Sequence, residues 1–119
     1  MTFQELGLRQ EILDAVAELG FVNPMPVQEQ VIPYMLTHEN DLVALAQTGT
    51  GKTAAFGLPI LNMVNVEQRK IQSLVLAPTR ELCIQIANDI KNFASKMRGV
   101  KVVPVYGGES IVVQYKQLD

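Results

Sequence analysis

The sequence has little of what would place a protein outside the cell or in a membrane. It contains one cysteine, Cys83, one histidine, His38, and no tryptophan. A single cysteine cannot form an internal disulfide, and one Cys with one His does not furnish the usual ligands of a zinc site. The start of the chain lacks the basic flank and apolar stretch of a signal peptide, and no apolar run approaches the ~20 residues that cross a bilayer. We therefore expect a cytoplasmic chain without a membrane span.

A strong net charge is also absent. The formal net charge is -2, and the pI is near 5.4. The chain thus has no global basic surface for nucleic acid, although a local cluster of cations could still bind phosphates. What is present is 119 residues with 48% hydrophobic and 18% charged residues. This is the length and composition of one folded domain or part of one.

Apolar spacing predicts a series of helices. Between Leu8 and Leu19, apolar residues recur every three or four positions, which is typical of one face of a helix. Gly20 should end this helix. Pro26 can open a second helix because its missing N–H has no partner in a first turn. Pro33 should cause a kink or an early irregularity near Gln30, and Pro59 should bend or shorten the helix that contains it. Further helices are predicted over 53–64, over 80–97 and after the turn at 107–108, up to residue 119.

Three short apolar runs predict buried strands between these helices. They cover residues 41–46, 73–77 and 100–105. Strands that alternate with helices favour a parallel sheet with right-handed crossovers and helices on its faces. The expected fold class is therefore α/β, a mainly parallel sheet flanked by helices.

The segment after the first predicted strand has the residues of a phosphate-binding loop. Two glycines allow the backbone to approach phosphates, a lysine can reach the terminal phosphates, and a hydroxyl can bind magnesium where a strand turns into a helix. We therefore expect ATP with Mg²⁺ here, with Lys52 and Thr53 in the catalytic roles. The eight residues of the loop are Ala46, Gln47, Thr48, Gly49, Thr50, Gly51, Lys52 and Thr53. Ala46 stands where the common pattern has glycine.

Four motifs in order resemble the DEAD-box RNA helicases. Residues 20–28 are similar to the Q motif of that family, accompanied by the upstream aromatic Phe3, and residues 46–53 are similar to motif I, in which alanine is normal at the first position. Residues 78–82 resemble motif Ia, and 107–108 the glycine doublet beyond it. The resemblance implies a P-loop domain of the RecA-like type, part of an ATP-dependent RNA helicase that uses ATP to unwind RNA duplexes.

The resemblance implies that Gln28 reads the adenine edge and that Phe21 packs against the base. A side-chain amide suits adenine because it offers both a donor and an acceptor. Without the resemblance, Gln28 is interpreted as an exposed helix residue. Phe21 equally fits an apolar residue that packs back on its own helix after the Gly20 cap.

The resemblance also implies sequence-independent contacts to the RNA backbone by Pro78, Thr79 and Arg80 and by Gly107 and Gly108. Each has an alternative interpretation. Thr79 can be a helix N-cap, Arg80 a solvated residue or a partner for a carboxylate, and the glycine doublet a simple turn.

The family places its Asp-Glu-Ala-Asp motif, its Ser-Ala-Thr motif and its second domain beyond residue 119. We therefore expect 1–119 to be the N-terminal part of the helicase ATP-binding domain, with 1–29 as the Q-motif region and 30–119 as the P-loop core. Such a piece should be catalytically inactive, should require the remainder of the helicase core, and should self-associate through unpaired strands. Two alternatives remain: another P-loop ATPase or kinase, and a nucleotide-binding or interaction module without helicase activity.

Overall fold

The computed structural model describes residues 1–47, 51–108 and 111–118. Five α-helices lie in these ranges, and a short 3-10 helix, Phe3–Leu6, precedes them. The α-helices are α1 (Gln10–Glu18), α2 (Pro26–Thr37), α3 (Lys52–Met63), α4 (Arg80–Phe93) and α5 (Ile111–Leu118). Every helix predicted from apolar spacing is therefore formed.

The end of α1 shows why Gly20 stops the helix. Gly20 adopts φ 91, the left-handed conformation, and its N–H donates to the carbonyl of Ala17 at 3.1 Å. The N–H of Phe21 donates to the carbonyl of Val16 at 3.0 Å. These two bonds form a Schellman motif. The left-handed conformation of the glycine allows its own N–H and the next N–H to bind the last carbonyls of the helix.

Prolines lie inside two helices without ending either one. The helix α2 begins at Pro26, as predicted, and continues through Pro33 for four more residues. Likewise α3 continues through Pro59 to Met63. The predicted kink or early irregularity therefore does not interrupt either helix. Pro59 is fully buried, and tertiary packing of this kind offsets the one hydrogen bond that a proline removes.

The helix α4 ends at Phe93, four residues before the predicted end at Met97. Beyond it the N–H of Ser95 donates to Asn92 and the N–H of Met97 donates to Ala94, at 3.2 and 2.9 Å. These are bonds to the third residue back, which tighten a final turn instead of extending the α-helix. Lys96 in this turn lies 2.6 Å from Glu18 at the end of α1, and this hydrogen bond raises the pKa of Lys96.

The three predicted strands are not formed in the part of the chain that the structure describes. Residues 41–46, 73–77 and 100–105 have no regular secondary structure there. Apolar side chains that were expected to be buried are open to solvent: Val43 is 85% exposed, Leu45 93% and Leu76 85%. A strand needs a second strand alongside it, and no bridge pairs these segments. Among the residues that the structure describes, only the helical part of the predicted α/β fold is therefore seen.

The core lies between the helices. The helix α3 packs between α2 and α4, and α1 contacts both α3 and α4. The largest fully buried side chains come from three of these helices and include Ile12, Ile32, Leu58 and Leu61. This core includes Ala54 in the first turn of α3, whereas α4 joins it through its C-terminal half, at Ala87, Ile90 and Phe93. None of the helices in the described ranges is both long and apolar enough to cross a membrane.

Candidate functional site

The predicted phosphate loop leads into the N-terminus of α3. Gly51 is the N-cap of this helix with φ 82, and Lys52 and Thr53 are its first two residues. The first turn of a helix presents N–H groups without intrahelical partners and a positive dipole end, which together favour an anion. The glycine in the left-handed conformation, the cation and the helix end therefore occur together as predicted. Residues 48–50 of the loop lie outside the described residues.

Lys52 closes the loop on itself. Its Nζ donates a hydrogen bond of 2.8 Å to the carbonyl oxygen of Ala46, the first residue of the predicted loop. A lysine ammonium has three hydrogens, so this bond leaves two for other acceptors. A phosphate bound here would contact a lysine ammonium that is already hydrogen-bonded to the first residue of the loop.

Gln28 is buried at the junction between α2 and α3. It is only 2% exposed, although the sequence alone suggests an exposed helix residue. Its Oε1 accepts from the N–H of Met25 at 2.9 Å, and its Nε2 donates to the carbonyl of Gly51 at 3.2 Å. The amide thus caps the start of its own helix and holds the N-cap residue of α3. The predicted adenine-reading residue and the predicted phosphate loop are brought into direct contact.

Gly51 has no space for a side chain. A Cβ at this position would collide with Nε2 of Gln28 and would lie 3.3 Å from Cγ of Met25. The positive φ independently favours glycine. Two separate constraints therefore require glycine at the residue before Lys52.

Phe21 packs into an aromatic group. Its ring centroid lies 6.1 Å from that of Phe3 and 6.0 Å from that of Phe93, the second pair edge to face. These distances are typical of stabilising aromatic pairs. These two partners come from the 3-10 helix and from α4, so the ring contacts of Phe21 are to other elements than the helix that Gly20 ends. The ring is only half-buried, so part of it remains accessible.

Thr79 caps the helix that carries the predicted RNA contacts. Its Oγ1 accepts from the N–H of Leu82 at 3.1 Å, which confirms the N-cap interpretation. A hydroxyl that accepts this bond keeps its own hydrogen for donation. Pro78, Thr79 and Arg80 are all exposed at the N-terminus of α4.

Arg80 lies next to the glycine doublet. Its guanidinium carbon is 5.1 Å from the centroid of the Tyr106 ring, a cation–π contact. Gly108 has φ 89, and a Cβ there would lie 3.0 Å from Nη1 of Arg80. Gly107 and Gly108 form a turn, and a Cβ at Gly107 would meet nothing within 4 Å. The two segments predicted to bind RNA are therefore neighbours in space.

Sequence reasoning missed two residues in this region. Tyr106 provides the ring under Arg80, and its N–H donates to Oε1 of Gln114 at 2.7 Å. Gln114 is 6% exposed, a buried polar residue on α5. Tyr106 could have been noticed as an aromatic directly before the glycine doublet, but nothing near Gln114 in the sequence marks it.

The donor set suits a magnesium ion that arrives with a nucleotide. The described residues contain no group of three or more His, Cys, Asp or Glu side chains that could hold a metal alone. Thr53 contributes a hydroxyl in the first turn of α3. Magnesium keeps several waters and is commonly bound by one or two protein ligands plus phosphates, so one hydroxyl beside a phosphate site is compatible with it.

Known proteins resemble the chain along almost all of its length. ATP-dependent RNA helicase DeaD from Klebsiella pneumoniae is 50% identical over 117 residues, covering 98% of this chain and 18% of that protein. The crystal structure of a DEAD box protein from Methanococcus jannaschii superposes with a TM-score of 0.91 at 41% identity, covering 99% of this chain and 32% of that one. The structure of S. cerevisiae Dbp5 bound to RNA and ADP BeF3 superposes with a TM-score of 0.81 at 34% identity. The match covers 92% of this chain and 29% of the Dbp5 chain.

The chain thus spans less than a third of the length of these proteins. The high TM-score shows that the chain as a whole has the backbone fold of this part of a DEAD box protein. The sequence profile of the DEAD/DEAH box helicases matches residues 25–119, which include three of the four motifs in full. The chain belongs to the DEAD/DEAH box helicase family.

Proposed function

We propose that this chain is the ATP-binding segment of an ATP-dependent RNA helicase, which couples ATP binding and hydrolysis to the opening of RNA duplexes. The observation that carries the proposal is the junction of Gln28, Gly51 and Lys52, in which a buried amide holds the residue before the phosphate-binding lysine. The relatives named above are ATP-dependent RNA helicases, and this chain shares half its residues with one of them.

We infer that the phosphates of ATP bind at the N-terminus of α3. Lys52 supplies a charge near the terminal phosphates, and the loop residues 46–51 supply backbone N–H groups. The Oε1 and Nε2 atoms of Gln28 each make one hydrogen bond, so the amide retains one acceptor site and one hydrogen. That remaining pair matches the N6 and N7 groups of adenine. The accessible part of Phe21 would pack against the base.

We further propose that Thr53 holds magnesium through its hydroxyl, together with the phosphates. When bound, the metal would neutralise charge on the phosphates and so assist their transfer to water. The residues of this chain bind and orient the nucleotide. By the family resemblance, the groups that orient the attacking water are not among the residues named here.

RNA is the proposed second ligand. A helix N-terminus with an exposed arginine beside a glycine turn can hold phosphates without reading bases. The contacts would come from Thr79 and Arg80 at α4, with Pro78 and the turn at 107–108 beside them. Dbp5, which has a similar fold, has a solved structure in which it is bound to RNA.

We also propose that 41–46, 73–77 and 100–105 become parallel strands when the rest of the helicase core is present. The chain as a whole superposes on the Methanococcus jannaschii protein with a TM-score of 0.91, and the exposed apolar side chains of these segments offer a surface for further strands. Amide exchange tests this directly. These segments should be protected in the natural-length protein and exchange freely in the 119-residue chain.

A strand-displacement experiment tests the function. The natural-length protein should separate a short RNA duplex with ATP, more slowly with GTP, and not at all without nucleotide. The 119-residue chain should show at most weak nucleotide binding and no RNA-stimulated hydrolysis. Nucleotide binding without strand displacement or RNA-stimulated hydrolysis by the natural-length protein would favour the alternative of a non-catalytic nucleotide-binding module.

A further inference from the structure

We propose that Tyr106 is a positioning residue for RNA binding, whose ring holds the guanidinium of Arg80 beside Gly108 before RNA arrives. The inference rests on the proposed RNA contact of Arg80. It assigns a role to a residue that lies outside all four motifs.

The contact restrains an otherwise mobile side chain. Arg80 is the first residue of α4 and is exposed. An exposed arginine loses much rotamer freedom when it binds a phosphate, and a side chain that is already ordered loses less. With its Cζ 5.1 Å from the ring centroid, Arg80 has the contact needed for this ordering. A guanidinium has five N–H donors, so a cation–π contact leaves several of them for phosphate oxygens.

The ring itself sits on an anchored backbone. The N–H of Tyr106 donates to Oε1 of Gln114 at 2.7 Å, and the carbonyl of the preceding residue, Val105, accepts from Sγ of Cys83 at 3.7 Å. Burying an amide is costly unless it is hydrogen-bonded, so the 6% exposure of Gln114 marks the bond as structural. The backbone of Tyr106 is therefore held by a hydrogen bond to α5, and that of Val105 by a hydrogen bond to α4.

Gly108 also lies next to the guanidinium of Arg80. Its φ of 89 favours glycine, and any Cβ would press on Nη1 of Arg80 at 3.0 Å. The guanidinium thus lies near both an aromatic ring and a glycine that leaves room for it. This placement brings a cation to a backbone turn that lacks side chains, where an RNA phosphate can approach.

The test is a double-mutant cycle on the natural-length protein. Binding of a short fluorescent oligouridylate is measured by fluorescence anisotropy, with ADP and beryllium fluoride present. Tyr106→Leu should weaken RNA binding by about two- to fivefold, as expected for an exposed cation–π contact. Tyr106→Phe keeps the ring and should bind normally. In an Arg80→Ala background, Tyr106→Leu should cause no further loss.

Controls separate positioning from folding. ADP affinity should be the same in all variants, because none of them changes the nucleotide site. Arg80→Lys leaves Tyr106 intact and keeps the charge but cannot stack as a plane. Arg80→Lys should therefore weaken RNA binding but keep the slope of log affinity against log salt concentration. Arg80→Ala should lower the magnitude of that slope by about one.

Three results would overturn the inference: unchanged RNA affinity in Tyr106→Leu, an equal loss with and without Arg80, or full affinity in Arg80→Lys. Failure of the unsubstituted protein to bind RNA would contradict the proposed function itself, and this inference with it. Normal RNA binding with an insensitive Tyr106 would contradict only the inference.

Discussion

Gln28 donates a hydrogen bond from Nε2 to the carbonyl oxygen of Gly51 at 3.2 Å, across 23 positions of sequence. The same amide accepts from the N–H of Met25, so it joins the start of α2 to the N-cap of α3. A residue proposed to read adenine is therefore also a support of the phosphate loop. Substitutions at Gln28 should affect base preference, nucleotide affinity and stability together.

Gln28→Leu should destabilise the fold by about 1–3 kcal/mol, because it removes two part-buried hydrogen bonds, one from the N–H of Met25 and one to the carbonyl of Gly51. Adenine nucleotide affinity should fall in parallel, and preference for ATP over GTP should be lost. Denaturant unfolding and nucleotide titration measure the two effects. Gln30→Leu is the matched control, since Gln30 lies on the same helix and is exposed. A Gln28→Leu protein with normal stability would show that the bond does not support the loop.

Gly51→Ala should be more damaging than Gly20→Ala. Both glycines have φ near 90, so alanine at either position carries the left-handed strain of about 1–2 kcal/mol. Only at Gly51 would the new Cβ also collide with Gln28, whereas at Gly20 it would meet nothing within 4 Å. The difference in unfolding free energy isolates the collision. Equal losses in the two variants would mean that the loop moves to accept the methyl group.

Thr79→Ala should destabilise α4 by about 1 kcal/mol through loss of its N-cap, while Thr79→Ser should preserve the cap. Amide exchange of Leu82, whose N–H donates to Thr79, is the local measurement. Fast exchange in the alanine variant and slow exchange in the serine variant is the expected pattern. If RNA affinity falls in Thr79→Ala but not in Thr79→Ser, the hydroxyl acts in both roles.

The 119-residue chain should self-associate through its unpaired apolar segments. Val43, Leu45, Leu74 and Leu76 are each at least 80% exposed. Apolar segments without strand partners are templates for pairing with another chain. Sedimentation should show association that rises with concentration and decreases in a Leu45→Lys, Leu74→Lys double variant. A monomer over a wide concentration range would contradict this expectation.

The helices were predictable because their signals are local. The apolar spacing before Gly20, the proline at the start of α2 and the threonine before Arg80 each act within a few residues, and each is seen in the structure. The end of α4 was misplaced by four residues because helix ends depend on weak competition between α-helical and tighter turns.

The strands and the site contacts were less predictable because they depend on distant partners. An apolar run such as 73–77 has the composition of a strand, but a strand forms only when another lies beside it. The loop residues could be identified from their order in the sequence. The hydrogen bonds from Gln28 to Gly51 and from Lys52 to Ala46 could not, and they are seen only in the structure. Tyr106 was missed since its partner Arg80 is 26 positions away.

The central claim is that the loop before α3 binds the phosphates of ATP through Lys52. Calorimetric titration of the natural-length protein with ADP and ATP, comparing Lys52→Ala with Lys70→Ala, tests it most directly. Lys52→Ala removes a charge-assisted contact and no core atoms, so nucleotide affinity should fall roughly tenfold or more while the unfolding temperature stays the same. Lys70→Ala, which makes the same charge change at another exposed position, should bind normally. Unchanged nucleotide affinity in Lys52→Ala would contradict the account.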